Sequence, residues 1–291
     1  MRTTTSEKLF YAANYAVLTA AALSCLLPLL HIIALSLSDS QSIMSGFVKF
    51  WPVGATLESY MLLLDGTPVV SGFKNSLIIT VVGVLLSMLF TVMTAYPLSR
   101  TYCYARSQIT FIIVFTMLFN GGVIPLFLVL KSLGLINTYG AIWLPGLVST
   151  FNMLVMRTFF QNIPTELDDA ARMDGCGEWR LLLSIYLSLS KPVLATLTLF
   201  YAVGFWNAFM NVLLFINDTH LLNLTVIVQQ MVQNQSLLQE MISLQPEDVA
   251  AITPEGIKAA GIMIMIVPML VVYPFLQKYF VKGVLIGSIK G

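Results

Sequence analysis

The groups best able to do chemistry in this sequence are gathered in one stretch, ELDDAARMDGCGEWRLLLSIYLSLSKP, from Glu166 to Pro192. It holds five of the chain's fourteen carboxylates, along with Arg172, Arg180 and Lys191. A compact charged segment of this kind, with Asp169 and the Arg172 guanidinium on neighbouring positions, suits docking. It does not make a reaction centre. The sequence has no G-x-x-x-x-G-K phosphate cradle, no H-E-x-x-H helix, no nucleophile elbow and no paired catalytic carboxylates in a plausible pocket. Cys25, Cys103 and Cys176 are isolated, which supports neither a disulfide framework nor a zinc site. The expectation is a chain that is not an enzyme and binds no cofactor directly.

Local signals say how the stretch is held. Pro164 suits the first turn of a helix, where its missing N–H costs nothing. Thr165 and Asp168 have capping-box spacing, and Glu166, Asp168 and Asp169 complement the positive end of the helix dipole. A helix is predicted from Pro164 to about Met173, ended by a left-handed turn at Gly175. A second short segment offers Trp179, Leu182, Leu183 and Tyr186 as an apolar face, and Pro192 opens the next helix. Ala170 and Ala171 leave one side of the first helix shallow, and Asp169 and Arg172 share a face. A small, rigid, charged knob is a docking shape; the plain alternative is a solvated, capped loop.

The surroundings of that knob are lipid-like. The chain has 291 residues, 57% hydrophobic and only 10% charged, against about 25% charged in soluble domains. A net charge of +1 gives no footprint for nucleic acid. Six charge-poor windows approach the ~20 residues of a spanning helix, at about 10–37, 73–99, 108–130, 136–157, 192–216 and 259–279. The first is too long for a signal-peptide core and reads as a retained span. No period-2 alternation supports strands. The fold class is therefore an all-α integral membrane protein, a single transmembrane domain over 1–291. Six spans put both termini on one side. If that side is the cytoplasm, eleven Lys/Arg lie inside and four, Lys49, Lys74, Lys131 and Lys258, lie outside. The charged knob falls in a cytoplasmic loop at 161–191. The outer side carries loops at 38–72 and 217–258, the second with a periodic piece, LTVIVQQMVQNQSLLQEMI, suited to a surface helix.

The residues Asp169, Ala170, Ala171 and Gly175, followed by Ile185 and Leu187, resemble the EAA loop of ABC importer permeases: E-A-A, three residues, Gly, nine residues, I-x-L-P. Asp169 stands at the Glu position, and Ser188 departs from the usual Pro. The blocks FNGGVIPLFLVLKSLGLINTYGAIWLPG and KPVLATLTLFYAVGFWNAF, with the ending KGVLIGSIKG, resemble the carbohydrate-uptake branch, maltose-permease-like, and its subgroup handling oligosaccharides and uronate oligomers. The resemblance covers nearly the whole chain. It implies a type I importer architecture in the bacterial cytoplasmic (inner) membrane. It also implies several partners: a second homologous permease, a dimer of cytoplasmic ABC ATPases that hold the ATP and Mg, an extracytoplasmic solute-binding protein, and a sugar. Glu166, Asp169, Ala170, Ala171, Arg172, Gly175, Ile185 and Leu187 would then form the coupling element against the ATPase. The tail around Gly287 to Gly291 would reach the same interface.

A sugar needs aromatic faces and amide or hydroxyl groups, and polar groups at membrane depth usually face an interior cavity. Candidates are Asn120, Asn152, Trp206, Asn207 and Asn211, of which Asn207 and Asn211 share a helical face. Helix-to-helix hydrogen bonding is the plain alternative for each asparagine. A secondary transporter working without an ATPase is the competing function, but it calls for ionisable residues within the spans, and these windows are almost free of them. An intramembrane enzyme has only His31 available at depth.

Overall fold

The computed structural model describes residues 4–233 and 253–288, and every regular element among them is helical. The described residues form two compact units, one drawn from 1–70 and 227–267, the other from 71–226 and 268–291.

The first unit opens with α1 (Thr5–Ser36). Thr4 and Glu7 close a capping box: the Thr4 amide donates to the Glu7 carboxylate at 2.8 Å, and the Glu7 amide donates to Thr4 Oγ1 at 3.4 Å. Most of α1, residues 7–28, is exposed, as suits a helix whose solvent is lipid, while its end is buried at Ala34 and Ser36. A short helix, α2 (Ser40–Met44), starts at Asp39, whose carboxylate accepts the Ser42 amide at 2.7 Å. The following loop folds back along α1, where His31 Nδ1 lies 2.6 Å from the Lys49 carbonyl oxygen. Next comes α3 (Glu58–Gly66).

The second unit is built on α4 (Val69–Ser99). It continues through α5 (Arg106–Leu118), α6 (Val123–Ser132), α7 (Gly140–Trp143) and α8 (Thr150–Gln161). Then follow α9 (Glu166–Met173), α10 (Glu178–Leu189), α11 (Lys191–Trp206) and α12 (Met210–Phe215). One turn of α10, Leu181–Tyr186, is π-helical. The core of this unit joins α4, α8, α9, α10 and α11 through Ala95, Met153, Phe160, Ala171, Leu181 and Leu197, all buried. Two further helices, α13 (Leu224–Gln233) and α14 (Pro254–Ser288), lead back to the first unit and out of it. The first ten residues of the expected surface helix are helical, but Leu224, Val226, Ile227, Val228 and Met231 are buried, so this part is packed into the protein and does not lie on its surface; the rest of that segment, and the chain end from 289 on, lie outside the described residues.

Three described helices are long and apolar enough to cross a membrane, Glu7–Ser36, Val69–Ser99 and Pro254–Pro274. The other expected spans are interrupted, each for a local reason. The window 108–130 is two helices, α5 and α6, bent by 116°. Gly122 takes φ +87°, which a side chain would resist, and its amide donates to Asn120 Oδ1 at 2.8 Å. Pro125 then sits in the first turn of α6, where no N–H is needed. The window 136–157 is not one helix either. Asn137 is left-handed at φ +63°, α7 is a single turn, and α8 restarts at Ser149 after Pro145 and Gly146. The window 192–216 stops at Asn207 and resumes at Met210. Asn207 Nδ2 bonds back to the Val203 carbonyl at 3.0 Å, and the freed Trp206 carbonyl accepts Thr225 Oγ1 at 3.0 Å. Finally, α10 and α11 meet at Ser190 with an 83° bend, just before Pro192.

Candidate functional site

The predicted helix and turn of the charged stretch are present, with different bonding at the start. Thr165 makes no side-chain capping bond and is itself in helical geometry. The capping-box reading of Thr165 and Asp168 is corrected for a simple reason: the Asp168 carboxylate turns inward to stronger partners. At the other end the turn forms as expected. Gly175 sits at φ +75°, its amide donates to the Arg172 carbonyl at 3.0 Å, and the Cys176 amide donates to the Ala171 carbonyl at 2.9 Å. That pair of bonds is the Schellman arrangement.

The two faces of α9 do different things. Asp168 and Ala171, one turn apart, are both 8% exposed. Asp168 forms an ion pair with Arg100, the residue after the end of α4, and accepts the Tyr186 hydroxyl at 2.7 Å. Arg100 also donates to the Tyr186 hydroxyl at 2.6 Å. Its guanidinium lies between two rings, 4.4 Å from the centroid of Tyr96 and 4.0 Å from that of Tyr186. A desolvated cation between aromatic faces gains about 2 kcal/mol or more per good contact. The rings of Tyr96, Phe160 and Tyr186 pack edge to face around it. Two more guanidiniums hold the same helix end: Arg157 Nε donates to the Leu98 carbonyl at 2.9 Å and Arg106 donates to the Arg100 carbonyl at 3.3 Å. Cations there complement the negative end of the α4 dipole.

On the outward face, Glu166, Asp169, Ala170, Arg172 and Gly175 are exposed. Arg172 pairs with Glu178, bracing α9 against α10 across the Gly175 turn. Glu178 also accepts the hydroxyls of Tyr96 at 2.8 Å and Tyr102 at 3.0 Å. Partial burial alone would raise the Glu178 carboxyl, yet the bonds from Tyr96, Tyr102 and Arg172 hold it below the ordinary glutamate value. Ile185 and Leu187 are half-buried against the core. Of the apolar face expected on α10, Leu182 and Tyr186 are buried, while Trp179 and Leu183 remain exposed. A cleft of 440 Å³ lies beside this knob, lined by Arg100, Arg106, Asp169 and Arg172 among others.

The second candidate region is a pocket of 560 Å³ where α8, α11 and α12 meet. It brings together three of the five predicted polar residues, Asn152, Asn207 and Asn211, with Ser149, Tyr201 and the aromatic rings of Phe151, Phe200 and Phe209. Among the described residues, no charged side chain lines it. The interruption at Asn207 makes the pocket by opening the helix between Asn207 and Asn211. Trp206 is elsewhere: it is buried, packs edge to face on Phe73, and is not among the lining residues. Asn120 is exposed at the α5–α6 bend and caps Gly122.

Residues 41–286 match the family model described as "Binding-protein-dependent transport system inner membrane component". The chain belongs to this family. The permease is 39% identical to the polygalacturonan/rhamnogalacturonan transport system permease protein YtcP of Bacillus subtilis (strain 168), over 98% of this chain and 99% of that one. It is 30% identical to the arabinooligosaccharides transport system permease protein AraQ of Halalkalibacterium halodurans, with 91% of each chain covered. Among solved structures it matches, at a TM-score of 0.88 and 30% identity over 96% of this chain and 99% of the other, a bacterial ABC transporter involved in the import of the acidic polysaccharide alginate. The all-α fold is therefore that of an ABC importer permease.

In this permease the residues that sequence reasoning missed are those behind the knob. Arg100 entered the reading only as a positive charge, Asp168 only as a helix-start acid and Tyr186 only as an apolar side chain. Arg100 and Asp168 are 68 positions apart, so no spacing rule joins them. The one available signal was Arg100 itself, a charge directly abutting a long apolar run.

Proposed function

We propose that this chain is the transmembrane permease subunit of an ATP-driven, binding-protein-dependent importer of oligosaccharides, with uronate oligomers such as alginate or pectin fragments in its range. The whole chain acts as one permease domain and forms half of a translocation path with a second, homologous permease. It crosses the bacterial cytoplasmic membrane six times, with both termini and the 161–191 loop inside, and lipid surrounds α1. A dimer of cytoplasmic ATPases binds ATP and Mg, and an extracytoplasmic binding protein delivers the sugar. The permease performs no catalysis itself.

The observation that carries this reading is the two-faced helix α9. Its outward residues, Glu166, Asp169, Ala170 and Arg172, stand open to an ATPase, while Asp168 and Ala171 anchor it from behind. Gly175, Ile185 and Leu187 set the turn and seat α10. The sugar class is supported by the substrates named for the relatives and by the chemistry of the 560 Å³ pocket. Amides at Asn152, Asn207 and Asn211 suit sugar hydroxyls, and flat rings at Phe151, Phe200 and Phe209 suit the apolar faces of pyranoses. Trp206 and Asn120 hold the backbone around the path. An uncharged lining leaves uronate carboxylates to the partner permease or the binding protein. A secondary transporter draws no support from the family.

Affinity purification of the tagged chain from its native membrane, with bound proteins identified by mass, tests the reading. A second permease and an ATPase are expected. A chain that comes out alone and moves galacturonate oligomers into liposomes without ATP would overturn it.

A further inference from the structure

Two buried polar grips hold α4, nine residues apart. The first is the Arg100–Asp168 ion pair, closed by Tyr96 and Tyr186, which fixes the end of α4 to the helix α9. The second is at Thr91, fully buried, whose Oγ1 lies 2.6 Å from the Tyr201 hydroxyl of α11. That hydroxyl also accepts the Ser149 amide at 3.0 Å. Ser149 is the N-cap of α8 and its Oγ accepts the Asn152 amide at 3.4 Å. Tyr201, Ser149 and Asn152 all line the 560 Å³ pocket. Between the grips, α4 is packed in apolar core through Val92, Ala95 and Tyr96.

We propose that α4 is the rod that carries motion of α9 to the polar pocket, entering at Arg100–Asp168 and leaving at Thr91–Tyr201. The proposal rests on the permease reading above. The segment between the two grips is about 13 Å long, and it stays helical to Ser99 although Pro97 lies within it. Both grips resist slipping, because Arg100, Asp168, Thr91 and Tyr201 are buried and a displaced guanidinium or hydroxyl would lose its partner at a cost. One face of the segment is packed in the core through Val92, Ala95 and Tyr96, and a packed interior yields little to compression. A push on α9 therefore moves Thr91, and Thr91 moves the Tyr201 hydroxyl that holds the start of α8 and the wall of the pocket. Arg100, Asp168, Thr91 and Tyr201 are positioning residues in this scheme. Asp168 does the anchoring that lets its exposed neighbour Asp169 do the docking.

The test uses the full complex of both permeases and the ATPase in lipid nanodiscs, with Asn211→Cys as a reporter at the pocket. The rate of its reaction with a charged maleimide is measured with and without ATP and Mg, and the rate of the chain lacking the reporter is subtracted from it. ATP is expected to change the labelling rate in the otherwise unaltered complex. Thr91→Val, which keeps shape and removes the hydroxyl, is expected to shrink that ATP-dependent change about fivefold, the factor for one lost hydrogen bond. The ATPase is expected to stay bound and to hydrolyse ATP at its usual rate. Adding Thr91→Val to Tyr201→Phe is expected to change nothing beyond Tyr201→Phe alone, since the latter already removes the Thr91 bond along with that from the Ser149 amide. An undiminished response in Thr91→Val, additive losses in the double variant, or release of the ATPase by Thr91→Val would each overturn the rod. Failure of the unaltered chain to hold an ATPase would instead overturn the permease reading beneath it.

Discussion

Replacing Asp168 by Asn should loosen the 161–191 loop, while the same change one residue on should not. The Asp168 side chain is 12% exposed, and its ion pair with Arg100 is closed by a tyrosine on either side. Removing one partner of a buried pair costs about 3–5 kcal/mol, mostly because the remaining charge is stranded. Two terms reduce that here. Arg100 keeps its contacts with Tyr96 and Tyr186, and an asparagine oxygen can still accept the Tyr186 hydroxyl. A loss of about 2–4 kcal/mol remains, equivalent to a rise of about 30- to 1000-fold in the open population of the loop. Hydrogen exchange on the purified chain reads this directly. Amides from Ala170 to Tyr186 should lose protection by that factor, while amides of α12 should be unchanged. Asp169 is exposed and without an ion pair among the described residues, so Asp169→Asn should shift the same amides by less than about threefold. Equal effects of the two substitutions would refute the division of α9 into an anchoring and an exposed face.

Three further outcomes follow from the same geometry. Glu178 is held below the ordinary glutamate value of about 4.3, so its contribution is complete above that value and disappears as pH falls through the lower folded value. Exchange protection of α10 should be flat from pH 7 to 5 and decline below about 4, and Glu178→Gln should remove the dependence; a decline already complete at pH 5 would contradict it. A methyl group at Gly175 would meet only open space, but the backbone there has φ +75°. Gly175→Ala should therefore cost about 1–2 kcal/mol through backbone strain alone, seen as a lower melting temperature; no change would mean the turn relaxes. Asn152→Leu should keep the helix cap, which uses only its amide, yet lower uptake of galacturonate oligomers about tenfold by removing one hydrogen-bonding group; unchanged uptake would take the pocket out of the path.

The sequence located the charged loop, its first helix and the Gly175 turn because these depend on local chemistry: a proline, a run of acids and a glycine in fixed order. It also identified Asn152, Asn207 and Asn211, because amides inside apolar runs stand out wherever they lie. Hydropathy could not see where those runs break. Gly122, Asn137, Pro145 and Asn207 interrupt three expected spans through φ angles and side-chain bonds, which a windowed average does not register. The Arg100–Asp168 pair was invisible because it joins distant segments, and because each residue already had a sufficient local explanation.

The three guanidiniums at the end of α4 have a consequence for biogenesis. In the orientation proposed above, Arg100, Arg106 and Arg157 belong to the set of charges by which an insertion machinery orients a multi-pass chain. In the folded protein the same three residues hold the α4 terminus, through Asp168 and through the carbonyls of Leu98 and Arg100. Orientation and architecture are thus encoded in the same atoms. Deleting basic residues, the usual way to invert a membrane protein, would here unfasten the helix end it was meant to relocate. A chain inserted backwards would not be a mirror-image transporter awaiting a partner but one without its loop in place.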